Sequence, residues 1–447
     1  MSISAGTVWE VRAAGSDTNG GLFYAAQAGA GTDYSRQDAA QLSLTDAVTN
    51  GTTTVTSATG GFTAAMIGNG INIAGTCYMI ATRSSTNTIT VDRVIGAASG
   101  QTGKVGGALG SPGYCASQLS SASDQVWVKA GTYMVTTAST NAAGGCVSSP
   151  GGTAGFPCKW EGYQATRGDK GTKPLLDAGS IGGSPVVFDT AASYVIVDNI
   201  HCASPYVSLD LSQSYCRAIR CKTSGARFGV YLNAAFVSAI CCEAANSGSD
   251  PGFSVNGEAW VFGCTAHGGG GDGFKVNALG AVFSDCIAFG NGGAGFNCAT
   301  YSSRLQNCTA YGNTGNGFTV CSNTAFWDSA IDCLAVSNGG YGFSSGGASG
   351  FFGLIDCATY NNTSGATRNL TNSEGAAALS GDPFTAAGSN FGLNATAGAG
   401  AACRAAGLPS AFPGLPSTIS YPDIGAVQHQ DTGGGGSGGG GRLSLSL

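Results

Sequence analysis

The chain has 447 residues and a net charge of −6, with 43% apolar and 10% charged residues, 75 glycines and 12 prolines. That low charge beside that apolar share excludes a disordered chain, and glycines without a three-residue period exclude collagen. The 19 Lys and Arg form no basic cluster and no stretch approaches the ~18 apolar residues of a spanning helix, so neither nucleic acid binding nor membrane insertion is expected.

Residues 1–40 read as an opening segment. MSISAGTVWE lacks the basic start and apolar run of a secretory signal, so synthesis in a cytoplasm is expected. GSDTNGG (15–21) could offer Asp17 and Asn19 to calcium, but Asx-Gly clusters are far more often plain turns. Between 41 and 108 the text turns to Thr-rich strands, TTTVTSATGG and NTITVDRV with GNGINIAGTCYMI between them, which predict a small β-rich insertion. From about 109 the chain winds differently. VWVKAGTYMV (126–135) and SYVIVDNIHC (193–202) alternate as half-buried strands do.

Downstream the alternation becomes a repeat. Cys221, Cys242, Cys264, Cys286, Cys308, Cys333 and Cys357 follow one another at 21 to 25 residues. Val230, Phe253, Phe274, Phe296, Phe318 and Phe343, each after a Gly, keep the same period. The units CTAHGGGGDGFKV, CIAFGNGGAGFNC and CTAYGNTGNGFTV show short alternating strands broken by Gly and Asn, without the recurring Leu of leucine-rich repeats. This predicts an all-β fold, a parallel β-helix over 109–370 with a small N-terminal β lobe. Equivalent side chains then stack from coil to coil, with Cys, Ala and Phe inside. Asn291, Asn313, Asn338 and Asn362, each five residues after a ladder Cys, predict a stacked amide row at a bend. The period fades over 371–430, as expected of a segment closing the last open edge. Residues 431–447 are a Gly-rich linker ending in RLSLSL, which could add a strand to a neighbouring surface.

One thiol per coil does not supply converging ligands, so the 17 cysteines read as buried small hydrophobes, and neither metal nor cofactor is expected. Cys146 with Cys158, and Cys241 beside Cys242, stand outside that column. His201, His267 and His429 are too few and scattered for a triad or a multi-histidine metal site. Strict alternation would turn the residue before each ladder Cys outward: His201, Arg220, Cys241, Gly263, Asp285, Asn307, Asp332 and Asp356. Asp332 and Asp356 would then lie about 5 Å apart, near the carboxyl separation of a retaining glycosidase. Stacking gives any column that spacing, and outward acids are usually solvated. Three residues after the Cys, His267, Phe289, Tyr311 and Tyr360 form an outward aromatic column suited to glycan binding or subunit assembly, against ordinary surface packing.

The repeat units, together with VWEVRAAGSDTNGG (8–21), VWVKAGTY and the closing PDIGAVQ (422–428), resemble right-handed parallel β-helix proteins of the pectate-lyase-like class, and within it the β-helix proteins of tailed-bacteriophage virions. The resemblance implies a non-enzymatic structural or surface-displayed protein, such as a capsid decoration, fibre or tail spike. It would be displayed on the virion surface, partnered by other virion proteins and by itself as a homo-oligomer, commonly a trimer, and suited to binding bacterial surface glycans. Fold does not decide function. A polysaccharide depolymerase using Asp332 and Asp356 is the competing reading, and a bacterial adhesin the third.

Overall fold

Two sharp corners per circuit decide how this chain winds. In residues 204–447, one of the two units of the chain, the residue before each ladder cysteine is left-handed: φ is 53° at Cys241, 55° at Asp285, 50° at Asn307, 54° at Asp332 and 46° at Asp356. A second left-handed residue precedes each ladder asparagine, at Gly290, Gly312, Ser337 and Asn361. One such residue redirects the backbone without a loop, and Gly, Asn and Asp tolerate the conformation best. The computed structural model describes residues 6–119, 124–135, 145–179, 181, 185–204, 206–245, 247–278, 280–299, 302–320, 327–345, 351–370, 376–404, 406–407 and 423–428, with the backbone alone at 145, 146, 327, 351 and 352.

Between corners lie three short strands per circuit, each paired in parallel with its equivalent one circuit on. The first sheet of this unit runs from Arg217–Ile219 through Val237–Ile240, Ala259–Phe262, Ala281–Ser284 and Ser303–Gln306 to Phe351–Ile355. The second runs from Lys222–Ser224 to Ala376–Ala378, and the third from Val207–Leu211 to Gly365–Arg368. Because the register is kept, like residues stack. Phe253, Phe274, Phe296, Phe318 and Phe343 are wholly buried, with successive ring centroids 4.8, 4.7, 4.9 and 4.8 Å apart. The preceding glycine is forced by the same closeness: a Cβ on Gly295 would lie 2.7 Å from the Gly317 carbonyl oxygen.

The cysteine and asparagine columns form as the spacing predicts. Cys242, Cys264, Cys286, Cys308, Cys333 and Cys357 are all buried, and the Sγ atoms of Cys286, Cys308, Cys333 and Cys357 each donate to the carbonyl two residues back at 3.3 Å. Burial pushes the thiols of Cys242, Cys286, Cys308 and Cys333 far above the ordinary range, so they pack as inert apolar groups. The amides of Asn291, Asn313 and Asn338 donate to the Oδ1 of Asn313, Asn338 and Asn362 at 2.9, 3.0 and 2.9 Å. Each also donates to a buried alanine carbonyl, of Ala266, Ala288 and Ala310, at 3.0 to 3.1 Å. In a second row, just after third-sheet strands, Asn256 donates to Asn233 Oδ1 at 3.3 Å and Asn277 to Asn256 Oδ1 at 3.0 Å.

Residues 1–203 form the other unit. Here Val8–Val11 already pairs in parallel with Gln125–Lys129, which pairs with Cys158–Tyr163. Winding therefore begins in the opening segment, earlier than residue 109. Alternation over so short a strand carries little periodic signal, which is why the sequence hides it. The insertion is a closed antiparallel barrel of six strands between Leu42 and Val105, filled by Leu44, Val55, Phe62, Ile71, Ile80, Ile89 and Val105. Asp17 accepts from the backbone of Gly110 and Ser111 at 2.9 Å, so GSDTNGG, ahead of the barrel, holds the segment in which the chain leaves it.

A buried ionic knot fastens the barrel approach to this first sheet. Glu10 has no accessible surface, yet its carboxylate receives Arg12 Nε at 2.8 Å, Arg167 Nη2 at 2.7 Å and the Tyr163 hydroxyl. Arg167 also holds Asp33, just ahead of the barrel, at 3.0 Å. Removing one partner strands a buried charge, which costs about 3 kcal/mol or more. Arg167→Met should therefore lower the stability of this unit by about 3 kcal/mol in denaturant titration. Adding Glu10→Gln should recover part of the loss; no effect of Arg167→Met would show that the knot is idle.

Candidate functional site

The outer face of the first sheet, within residues 204–447, carries the most unusual surface. Register sets Arg217, Ser238, Trp260, Val282, Arg304 and Ser329 in one outward column. The corner preceding each strand holds Tyr215, Phe236, Glu258, Gly280 and Ser302 in turn. Tyr215 and Phe236 occupy it with φ of 62° and 58°, a left-handed backbone that costs a bulky residue about 1–3 kcal/mol.

Those rings stack outside the solenoid. Tyr215 and Phe236 lie 5.3 Å apart at 9°, and Phe236 and Trp260 6.2 Å apart at 27°. They remain 46%, 41% and 39% exposed, where burial inside would have been the favourable use of such side chains. On the next rung Gly280 and Val282 are smaller, so the stack stops and the surface steps down. The step is a groove of about 360 Å³ lined by Glu258, Trp260, Gly280, Val282, Ser303 and Arg304 among others. Its volume falls within the usual range for small-ligand sites, ~300–1,000 Å³. An aromatic wall facing hydroxyl, carboxylate and guanidinium groups can stack on a sugar ring while bonding its hydroxyls.

The structure places the sequence-derived candidates elsewhere. His267 stacks on Phe289 at 4.8 Å and 8°, with Nε2 3.1 Å from Glu243 Oε1, which also receives Lys222 at 2.9 Å. The hydrogen bond to His267, reinforced by Lys222, holds the Glu243 carboxyl down at about 2. Phe289 and Tyr311 are half-buried beneath other rings of the chain. Phe391 packs 5.1 and 5.7 Å from them, and Phe384 lies 5.8 Å from Tyr311. Tyr360 joins the same cluster with Leu393, Cys403, Ile424 and Ala426. The expectation of a free aromatic face is thus corrected for these three residues: residues 376–428, where described, fold back over the second sheet, so the closing segment covers a lateral face as well as adding the edge strand Ala376–Ala378.

Asp332 and Asp356 do not form an open carboxylate pair. Asp332 is wholly buried and its backbone carbonyl accepts from Gly425 at 2.8 Å; Asp356 is half-buried. Alternation fails at these positions because they are left-handed corners rather than strand residues. Asp332 therefore cannot meet a sugar from outside. The stacked stripe had a legible signal: Tyr215, Phe236 and Trp260 recur at 21 and 24 residues, but at two different offsets within the unit.

Asp285, in the same corner column as Asn307, shows what burial does there. Burial pushes its carboxyl up to about 6, against hydrogen bonds from Ser284 at 2.8 Å and Asn307 at 3.4 Å. A carboxyl whose pKa is higher folded than unfolded binds its proton more tightly in the fold, so stability is greatest below the unfolded value near 4 and falls as pH rises to about 6. Asp285→Asn should raise stability at pH 8 by about 2–3 kcal/mol and leave it unchanged at pH 3.5, read by denaturant melts. Equal gains at both pH values would contradict this assignment.

A family profile described as a right handed beta helix region matches residues 207–364. No curated protein sequence matches the chain. Among solved structures, pectate lyase Pel9A is similar at 17% identity and a TM-score of 0.58, over 73% of this chain and 92% of that one. A Geobacillus virus E2 protein, ORF18, is similar at 11% identity and a TM-score of 0.40, over 59% and 56%. A mannuronic acid specific polysaccharide family 6 lyase from human gut microbiota is similar at 10% and 0.29, over 58% and 73%. The first likeness shows the fold, a right-handed parallel β-helix.

Proposed function

We propose that this chain is a rigid, surface-displayed β-helix that binds a polysaccharide along the outer face of its first sheet without cutting it. One observation carries the reading: three stacked, solvent-facing rings, Tyr215, Phe236 and Trp260, end in a groove rimmed by polar groups. Of the groove-lining residues, Glu258 alone is a carboxylate, whereas glycoside hydrolysis ordinarily takes two. The stacked core supports the rigidity. The setting on a tailed-phage virion is supported by the likeness of the opening and closing segments to such proteins, and self-association as a trimer belongs to the same proposal.

The competing reading is a polysaccharide depolymerase, supported by the fold it shares with a pectate lyase. One experiment separates the two. The full chain is titrated with bacterial surface polysaccharides while new reducing and unsaturated ends are assayed. Binding that weakens at least about tenfold in Trp260→Ala, without new ends, is the expected result. New ends that vanish in a groove variant such as Glu258→Gln would establish the enzyme instead, and unaltered binding by Trp260→Ala would remove the groove from the account.

A further inference from the structure

Stacking covers ring faces even as it brings rings together. Phe236 lies between Tyr215 and Trp260, at 9° to the one and 27° to the other, so both of its faces are taken and the stripe turns mostly ring edges to solvent. Trp260 ends the stack. Phe236 covers one of its faces, and the other looks onto the rung of Val282, its partner in register, and of Gly280 in the corner before that strand. Neither residue carries a ring, so the groove lies where a fourth ring would stand in the column.

The fold sets the height of that place. Trp260 and Arg304 stand two rungs apart, roughly 10 Å at the spacing of neighbouring strands. Where rings stack inside this solenoid they keep 4.7 to 4.9 Å from rung to rung, so one ring fills the gap and a second does not fit. Arg304, half-buried and bonded to Gln306 Oε1 at 3.3 Å, serves only as the far wall. The exposed charge on the groove is that of Glu258, a carboxylate that accepts bonds from hydroxyls and repels another carboxylate. Resting on the glycan-binding reading above, we infer that the groove holds a single uncharged pyranose, laid face to face on Trp260 as the fourth ring of the stack, with its hydroxyls bonded to Glu258. A uronate is refused there.

Single sugars test it, by ligand-observed NMR and tryptophan fluorescence on the full chain: the methyl pyranosides of glucose, galactose and N-acetylglucosamine, and those of glucuronate and galacturonate. At least one neutral glycoside should bind, and its uronate counterpart at least about fivefold more weakly, the scale of an exposed charge contact. Glu258→Gln should close that difference. Val282→Phe sets a protein ring in the fourth place and should weaken neutral binding by about tenfold or more, whereas Val282→Ala leaves the place open and should bind as before, with Val282→Leu in between. Tyr215→Ala, at the far end of the stack, should change binding by less than about twofold. Bacterial surface polysaccharides that bind while no single sugar does, Val282→Phe binding like the native chain, or uronates bound as well as their neutral counterparts would overturn the one-ring slot and leave glycan binding standing. Failure of every sugar and polysaccharide to bind would remove the glycan reading itself, and this inference with it.

Discussion

The whole arrangement depends on strands that stack in register, one circuit above the next. Register is what allows one amide to serve two neighbours. Asn313 donates to Asn338 and to the Ala288 carbonyl, while its own Oδ1 accepts from Asn291. A buried corner would otherwise leave backbone groups unpaired, at a cost of about 1–3 kcal/mol each. The same register brings the phenylalanine rings to 4.7–4.9 Å, which is the strand spacing itself. A slip by one residue would break the amide row, the ring stack and the thiol column together, so the three columns reinforce a single register.

That constraint also shapes the outside. Since inward positions are set by packing, only the outward columns are free to vary, and these keep the rung spacing. The second sheet covers its outward rings with its own chain, Phe384 and Phe391 lying against Tyr311. The first sheet leaves Tyr215, Phe236 and Trp260 exposed, and two of them bear a strained backbone to do so. Strain and exposure coinciding on one stripe single it out from a surface that is otherwise low in charge.

The sequence was most legible where a residue type recurs at one offset. Cys286, Asn291 and Phe296 lie in one short unit, and each takes its place in a column of buried like residues. Three things were hidden. Asp332 looks outward in the sequence because period-two alternation runs unmarked through a left-handed corner. Phe289 and Tyr311 look open in the sequence because their cover comes from described residues between 376 and 428, which have no repeat to betray where they fold. The exposed stripe is hidden because Tyr215 and Phe236 precede their strands while Trp260 lies within one, so the rings meet in space from unequal offsets. RLSLSL and the linker before it lie outside the described residues.

The most direct test is site-resolved thiol labelling of the native chain by a small alkylating reagent, followed by mass spectrometry over a denaturant series. If one register holds the core, Cys242, Cys264, Cys286, Cys308, Cys333 and Cys357 should stay unlabelled in the native protein and become reactive together, in a single transition. Labelling of Cys286 or Cys308 under native conditions, at the rate of a free thiol, would contradict the stacked interior on which everything else is built.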